Sequence, residues 1–584
     1  MLKKFFITAL GSFVGTWLAL IISSVMSILI SFAMLGALAK SNISSTSKIN
    51  DNSVLLLDLG MSVSDRSSQD DIFGDIYGES KTVGLIDLLR RIDAASEKNE
   101  IKGMVISCKG ISAGMSSLYE IREAIARFRE SGKFVYAYGY QAISQADYYL
   151  ASQADSIFIN PEAVVDIHGL ASQNLMFKRL LDKVGVEMQV LRVGTYKSAV
   201  EPYMLSEISE ANRRQQEHYM GSIWSTIAKQ MAISRHISEA RINELADSMT
   251  VAKGSDYMLS VGLVDGICYR QEMEDKLKQL VDEDYEFVEP GSISLPNEIS
   301  GDNEVAVVYC EGEIDGSEDA GIISDEVCET IYDLAENDDV CAMVLRVNSP
   351  GGSAFGSEQI WKAVADFKAK DKKVVVSMGD LAASGGYYIS CGADYIFAEP
   401  TTLTGSIGIF GVIPCVKQLS EETLGINTDV VKTNANGEFG SLLIPLSDYQ
   451  REAMQQYINR GYDLFTRRCA DGRGVSQDSI KAIAEGRVWD GRTAKYIGLI
   501  DDFGSLSDAI EMAASLQELG EDYYVAEYPE VKNRWQRMME RYMNEQAEAK
   551  MRSELGVLYE YHKVLKQVLG RQHVLCLMEP LKIE

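Results

Sequence analysis

A chain of 584 residues is too long for a single hydrophobic core, so two or more domains are expected. Its 46% hydrophobic content and mere ten prolines point to well-packed globular domains and away from a disordered chain. A net charge of −29 argues against nucleic acid as a partner and against a surface that adheres to anionic lipid.

Phe5 to Ala39 holds no charged residue. That run exceeds the about 20 residues needed to cross a bilayer, and a secretory signal has a shorter apolar core. An uncleaved anchor is therefore expected over residues 1–40. Lys3, Lys4 and the amino terminus favour an N-inside orientation, with Lys40 and Lys48 pulling against it on the other flank. On this reading the globular part lies outside the cytoplasm. A polar linker follows over 41–52.

From Ser53 the pattern alternates between apolar strands and helical stretches. Strands are expected over 53–59, 102–107, 133–138, 156–159 and 187–193, and helices over 85–96, 117–131, 142–151 and 207–231. This alternation predicts an α/β fold with a largely parallel sheet. The first domain spans 53–280. An acidic stretch with Pro290, Gly291, Pro296 and Gly301 reads as a linker over 281–303, and a second domain follows over 304–528. Beyond it, Met551, Leu555, Leu558, His562, Leu565 and Leu569 recur at three- and four-residue steps, predicting an amphipathic helical tail over 529–584.

The two domains are copies. Met343 to Gly352 aligns with Met104 to Ala113, and Tyr387 to Pro400 with Tyr148 to Pro161, at a constant offset of 239 residues. The copies differ where chemistry would be. Ser384-Gly385-Gly386 faces Gln145-Ala146-Asp147, and Gly351-Gly352 faces Ser112-Ala113.

Ser384 stands between an apolar strand and a helical stretch, so its hydroxyl is expected at a helix N-terminus, where free N–H groups favour developing negative charge. Asn348-Ser-Pro-Gly-Gly352 follows another strand, and glycines there can turn N–H groups toward a reacting carbonyl together with that of Gly385. A serine nucleophile needs a base. The chain has five histidines, none between 236 and 562, so a histidine base is poorly supported. Lys197, in Arg192-Val-Gly-Thr-Tyr-Lys-Ser-Ala-Val-Glu-Pro202, follows a strand of the first copy, and the stretch from Thr433 to Glu438 in the second copy has no lysine. Burial lowers a lysine pKa toward neutrality and makes it a base. The nine cysteines show no C-x-x-C or metal-type spacing and read as small buried hydrophobes, a usage that fits an oxidising compartment poorly. No zinc motif or P-loop is present, and no cofactor is expected.

Asn348-Ser-Pro-Gly-Gly352, Met378-Gly-Asp-Leu-Ala-Ala-Ser-Gly-Gly386, Leu403-Thr-Gly-Ser-Ile-Gly408 and Thr195-Tyr-Lys-Ser-Ala-Val-Glu-Pro202 occur in the order of a known family. The chain resembles the long, tandem-repeat form of signal peptide peptidase A, peptidase family S49. The resemblance implies a Clp protease/crotonase-like fold in each copy. It implies Ser384 as nucleophile, Lys197 as general base, and the N–H groups of Gly351 and Gly385 as oxyanion hole. It implies supporting roles for Ser406, Gly352 and Gly386, Ser406 by holding the lysine. It further implies a homo-oligomer, a homotetramer shaped as a bowl, on the periplasmic side of a bacterial inner membrane, with remnant signal peptides as substrates. Alternatives are a protease of the same fold acting on other envelope peptides, a crotonase-type acyl-CoA enzyme, and a non-catalytic membrane scaffold.

Overall fold

The computed structural model describes residues 49–66, 81–295, 301–316, 321–529 and 574–578, with the single positions 17, 26 and 551. The expected anchor, those positions apart, and most of the expected tail lie outside the described residues. Among the described residues no helix is long and apolar enough to cross a membrane.

In the first repeat β1 (Ser53–Asp58), β2 (Ile101–Cys108), β3 (Phe134–Gly139) and β4 (Ser156–Ile159) pair in parallel. Helices α1 (Met115–Glu130) and α2 (Gln145–Ala151) follow β2 and β3. The strands read as near-continuous apolar runs because helices cover the faces of a parallel sheet. The helix expected over 142–151 starts later, at Gln145, because Ser144 caps it by accepting the N–H of Asp147, while Ala142 and Ile143 form a short bridge to Val164 and Val165.

The chain then leaves this sheet through β5 (Glu187–Arg192) and the long helix α3 (Glu210–Ser234). It returns as β6 (Gly266–Ile267) and β7 (Glu286–Val288), giving the order β6-β4-β3-β2-β1-β7. β7 corrects the expected linker over 281–303. Glu286, Phe287 and Val288 pair with Ser53, Val54 and Leu55, covering an edge that β1 would otherwise expose.

The second repeat restates this plan. Its sheet runs through β8 (Asn303–Glu311) and β9 (Val340–Ser349); β10 (Gly351–Ser353) and α4 (Ala354–Lys368) come next. β11 (Lys373–Ala383), α5 (Gly385–Ser390), β12 (Tyr395–Ala398), β13 (Leu403–Gly405) and β14 (Phe410–Cys415) follow. Helix α6 (Asp448–Arg473) is the counterpart of α3, and β15 (Val488–Asp490), β16 (Asp502–Phe503) and β17 (Tyr523–Tyr528) complete the repeat. The sheet order is β15-β13-β11-β9-β8-β17, with β12 lying between β11 and β16.

Each repeat buries its own apolar cluster, one around Leu57, Ile106 and Phe128, the other around Leu345, Val376 and Phe367. The halves are nevertheless stitched together. β5 of the first repeat pairs antiparallel with β14 of the second, from Arg192 opposite Phe410 to Glu187 opposite Cys415. The Asp380 carboxylate of β11 accepts the N–H groups of Ser116 and Ser117 at the start of α1, at 2.7 and 3.1 Å, and the Ser117 hydroxyl at 2.8 Å. Gly114 is needed there, since a Cβ would stand 2.0 Å from that carboxylate.

Arg346 of β9 is buried between the repeats. Its guanidinium donates to Asp65 at 2.8 Å and to Ser377 at 2.8 Å, with Glu120 of α1 at 3.4 Å. Cys328 and Cys341 are partly buried free thiols, and Cys108, Cys268, Cys310, Cys391, Cys415 and Cys469 are buried ones.

The tail expected to be helical contains a strand, β18 (Val574–Leu577), lying between β10 and β14 in a sheet of order β10-β18-β14-β5. This short apolar stretch lies beyond the periodic residues Met551 to Leu569, and two neighbouring strand edges recruit it as a strand.

Candidate active site

Ser384 lies at the junction of β11 and α5 with φ +56° and ψ −112°. A non-glycine residue there is strained by about 1–3 kcal/mol, and such strain persists only where the surroundings over-determine it. Here the Ser384 N–H donates to the Gly405 carbonyl at 2.8 Å and its carbonyl accepts the N–H of Tyr388 at 2.8 Å. The turn thus aims the hydroxyl away from the strand and into the space between the repeats.

In that space stands Lys197. Its Nζ lies 2.7 Å from Ser384 Oγ, 3.0 Å from the Ser406 carbonyl and 3.0 Å from Ser406 Oγ. All three of these partners are neutral. Lys197, Ser384 and Ser406 are 1%, 0% and 1% exposed. The structure brings the three together within one chain, the lysine from the first repeat and both serines from the second. Ser406 is itself held at φ +49°, its N–H donating to the Arg487 carbonyl at 2.7 Å.

Gly351 opens β10 with φ +99°, and its N–H donates to Ser349 Oγ at 3.1 Å. Gly385 opens α5, which packs against β10, so both N–H groups belong to elements in contact. Gly352 and Gly386 have steric roles. A Cβ on Gly352 would lie 2.2 Å from the Ile314 carbonyl, and one on Gly386 would lie 2.7 Å from the Ser349 carbonyl.

The residues that position Lys197 are not marked in the sequence. Thr195 and Glu485 stand 290 residues apart in the chain, yet the Tyr196 N–H donates to the Glu485 carbonyl at 2.9 Å. A Cβ on Gly486 would stand 2.7 Å from Lys197 Cα, and one on Gly408 would stand 3.3 Å from Lys197 Cδ. Gln215 of α3 binds the Tyr196 carbonyl and the Ser198 hydroxyl with Nε2, both at 3.2 Å, and accepts the N–H of Val488 with Oε1. Within 484–487 the single glycine, Gly486, is a residue whose type bears on this docking.

His168 and His218 are engaged elsewhere, with Asp166 at 3.0 Å and with Thr493 at 3.1 Å. Among the described residues no group of three or more His, Cys, Asp or Glu side chains is arranged to hold a metal ion.

The family model described as Peptidase family S49 matches residues 127–284 and 366–520, stretches that contain Lys197 and Ser384. "Protease 4" of Salmonella typhi is 38% identical over 495 residues, covering 80% of this chain and 80% of that protein. "Protease 4" of Haemophilus influenzae is 35% identical over 78% of this chain and 77% of its own length. "Serine protease SPPA, chloroplastic" of Arabidopsis thaliana is 30% identical over 71% of this chain and 63% of its own. A strained serine beside a buried amine, on a duplicated α/β scaffold, is the frame of a serine peptidase. The chain belongs to peptidase family S49.

Proposed function

We propose that this serine peptidase is a membrane-anchored endopeptidase with a Ser384–Lys197 dyad that degrades remnant signal peptides and other apolar peptides. The reading rests above all on the 2.7 Å approach of Lys197 Nζ to Ser384 Oγ in a buried site. Removal from water disfavours a charged amine, and the mechanism needs Lys197 neutral. Lys197 takes the hydroxyl proton as Ser384 Oγ bonds to the scissile carbonyl carbon. The oxyanion is received by the N–H groups of Gly351 and Gly385. For this the Gly351 N–H exchanges the Ser349 hydroxyl for the substrate oxygen. Lys197 then gives the proton to the leaving amine. Water, deprotonated by Lys197, then adds to the ester carbonyl carbon, and Lys197 returns the proton to Ser384 Oγ as the acyl group leaves. Ser406 steers the lysine toward the nucleophile.

An anchor in residues 1–40, with the repeats on the periplasmic side of a bacterial inner membrane, would hold the enzyme where cleaved signal peptides accumulate. Assembly into a homotetramer would enclose its sites.

The test is hydrolysis of an apolar fluorogenic peptide by the detergent-solubilised full chain and its Ser384→Ala, Lys197→Ala and Ser406→Ala variants. Folding is checked by circular dichroism. Loss of at least about 10³-fold in kcat is expected for the first two, and a smaller loss for the third. Parent-like activity in folded Lys197→Ala would remove the lysine from the mechanism; activity in Ser384→Ala would remove the nucleophile.

A further inference from the structure

β18 sits in a slot rather than on an outer edge. On one side Leu577, Cys576 and Leu575 stand opposite Gly351, Gly352 and Ser353; on the other, Leu575 and Val574 stand opposite Phe410 and Gly411. Both pairings are antiparallel. Neighbouring strands lie about 4.8 Å apart, so β10 and β14 are two such spacings apart and the gap takes one extended chain. Without β18, both walls would turn unpaired N–H and C=O groups inward, which is how β-strand addition captures a peptide.

The segment is also placed along the slot. The Met578 N–H donates to the Pro350 carbonyl at 2.7 Å, next to Gly351. Met578 is 3% exposed and belongs to the cluster that includes Ala383, the neighbour of Ser384, with Leu403 and Val488. Ser384 is fully buried with the strand in place. Val574-Leu575-Cys576-Leu577-Met578 carries no charge, matching the apolar peptides proposed as substrates.

We infer that residues 574–578 are a built-in competitor, a strand of this chain that occupies the peptide slot beside Ser384 and must leave before a substrate enters. This inference rests on the proposed dyad, since the slot matters only if Ser384 is the nucleophile. No bond is made or broken in it. A tethered occupant competes at a high effective concentration set by its tether, so it raises KM and leaves kcat alone.

Three proteins in detergent test it: the full-chain parent, a truncation ending at residue 573, and full-chain Met578→Asp, which keeps the segment and places a charge at its buried end. Expected is a KM about ten-fold lower in both variants with kcat unchanged within about two-fold. The synthetic peptide Val-Leu-Cys-Leu-Met should inhibit the truncated enzyme competitively. An active parent whose KM is shared by both variants, with no inhibition by millimolar peptide, overturns the inference and leaves the dyad standing. A truncated enzyme no more active than the same truncation carrying Ser384→Ala overturns the dyad itself.

Discussion

In the first repeat Asp147 stands at the start of α2 where the second repeat has Gly386 at the start of α5. The Asp147 carboxylate accepts the N–H groups of Gly110 and Ile111 at 2.8 and 3.0 Å, in the loop that corresponds to Ser349 and Pro350. Gln145, at the position of Ser384, binds the segment corresponding to Ile407 and Gly408. Its Oε1 accepts the N–H groups of His168 and Gly169, and its Nε2 donates to the Gly169 carbonyl. Two polar side chains thus bind, in the first repeat, the backbone that corresponds to Ser349, Pro350, Ile407 and Gly408 of the second. A side chain like that of Asp147 has no room at Gly386, where even a Cβ meets the Ser349 carbonyl. Duplication therefore yields one sealed copy that carries Lys197 and one open copy that carries Ser384, and on the proposed mechanism reactivity depends on docking between them.

That docking is sharpened most by Gly486→Ala. Gly486 has φ +77°, and its added methyl would stand 2.7 Å from both Cα and Cβ of Lys197. The expected result is a fall in kcat of about 10²-fold, since a displacement near 1 Å is enough for that, with the thermal midpoint changed by only a few degrees. Kinetics on the purified variant beside a thermal melt decide it. Parent-like kcat would mean that the lysine does not rely on this loop for its place.

The sealed copy is broken by Asp147→Ala. Two loop N–H groups lose their acceptor, and the one on Ile111 is buried. A loss of about 1–3 kcal/mol in stability is expected, read by urea unfolding, with peptidase activity of the folded variant unchanged. Burial pushes the Asp147 carboxyl above its ordinary value while the Ile111 and Gly110 N–H groups pull it down. Equal stability of parent and variant would show that water satisfies these groups and that the seal is incidental.

Much of this was legible in the chain. The constant offset between the copies, the strand–helix alternation and the contrast between Ser384-Gly385-Gly386 and Gln145-Ala146-Asp147 all come from local residue order. Docking does not. Gly486, Gln215 and Arg487 act on the site through contacts made only after the halves pack, and no periodicity marks them. β7 and β18 were missed for a related reason. Glu286–Val288 and Val574–Leu577 are short, and each is a strand because an existing edge recruits it. A single-sequence pattern has no record of that edge.

The buried charges between the halves tie their docking to pH. Glu120 shares Arg346 with Asp65, and the Asp380 and Glu399 carboxyls lie nearby. Burial pushes the Glu120 carboxyl from 4.5 up to about 7, against the pull of Arg346 and with the repulsion of Asp65 and Asp380. Burial also raises Asp380 and Glu399. A carboxyl raised on folding holds its proton more tightly in the folded state. Its contribution to stability is full below the unfolded pKa and is lost as pH rises through the folded one. Stability should therefore fall between about pH 4.5 and 7 by an amount that Glu120→Gln removes, because the amide does not titrate. Thermal melts of parent and variant across that range should diverge, the parent losing ground to the variant as pH rises. Parallel curves would mean that Glu120 stays ionised beside Arg346 throughout, and that the halves are joined by a fixed ion pair rather than by a protonated carboxyl.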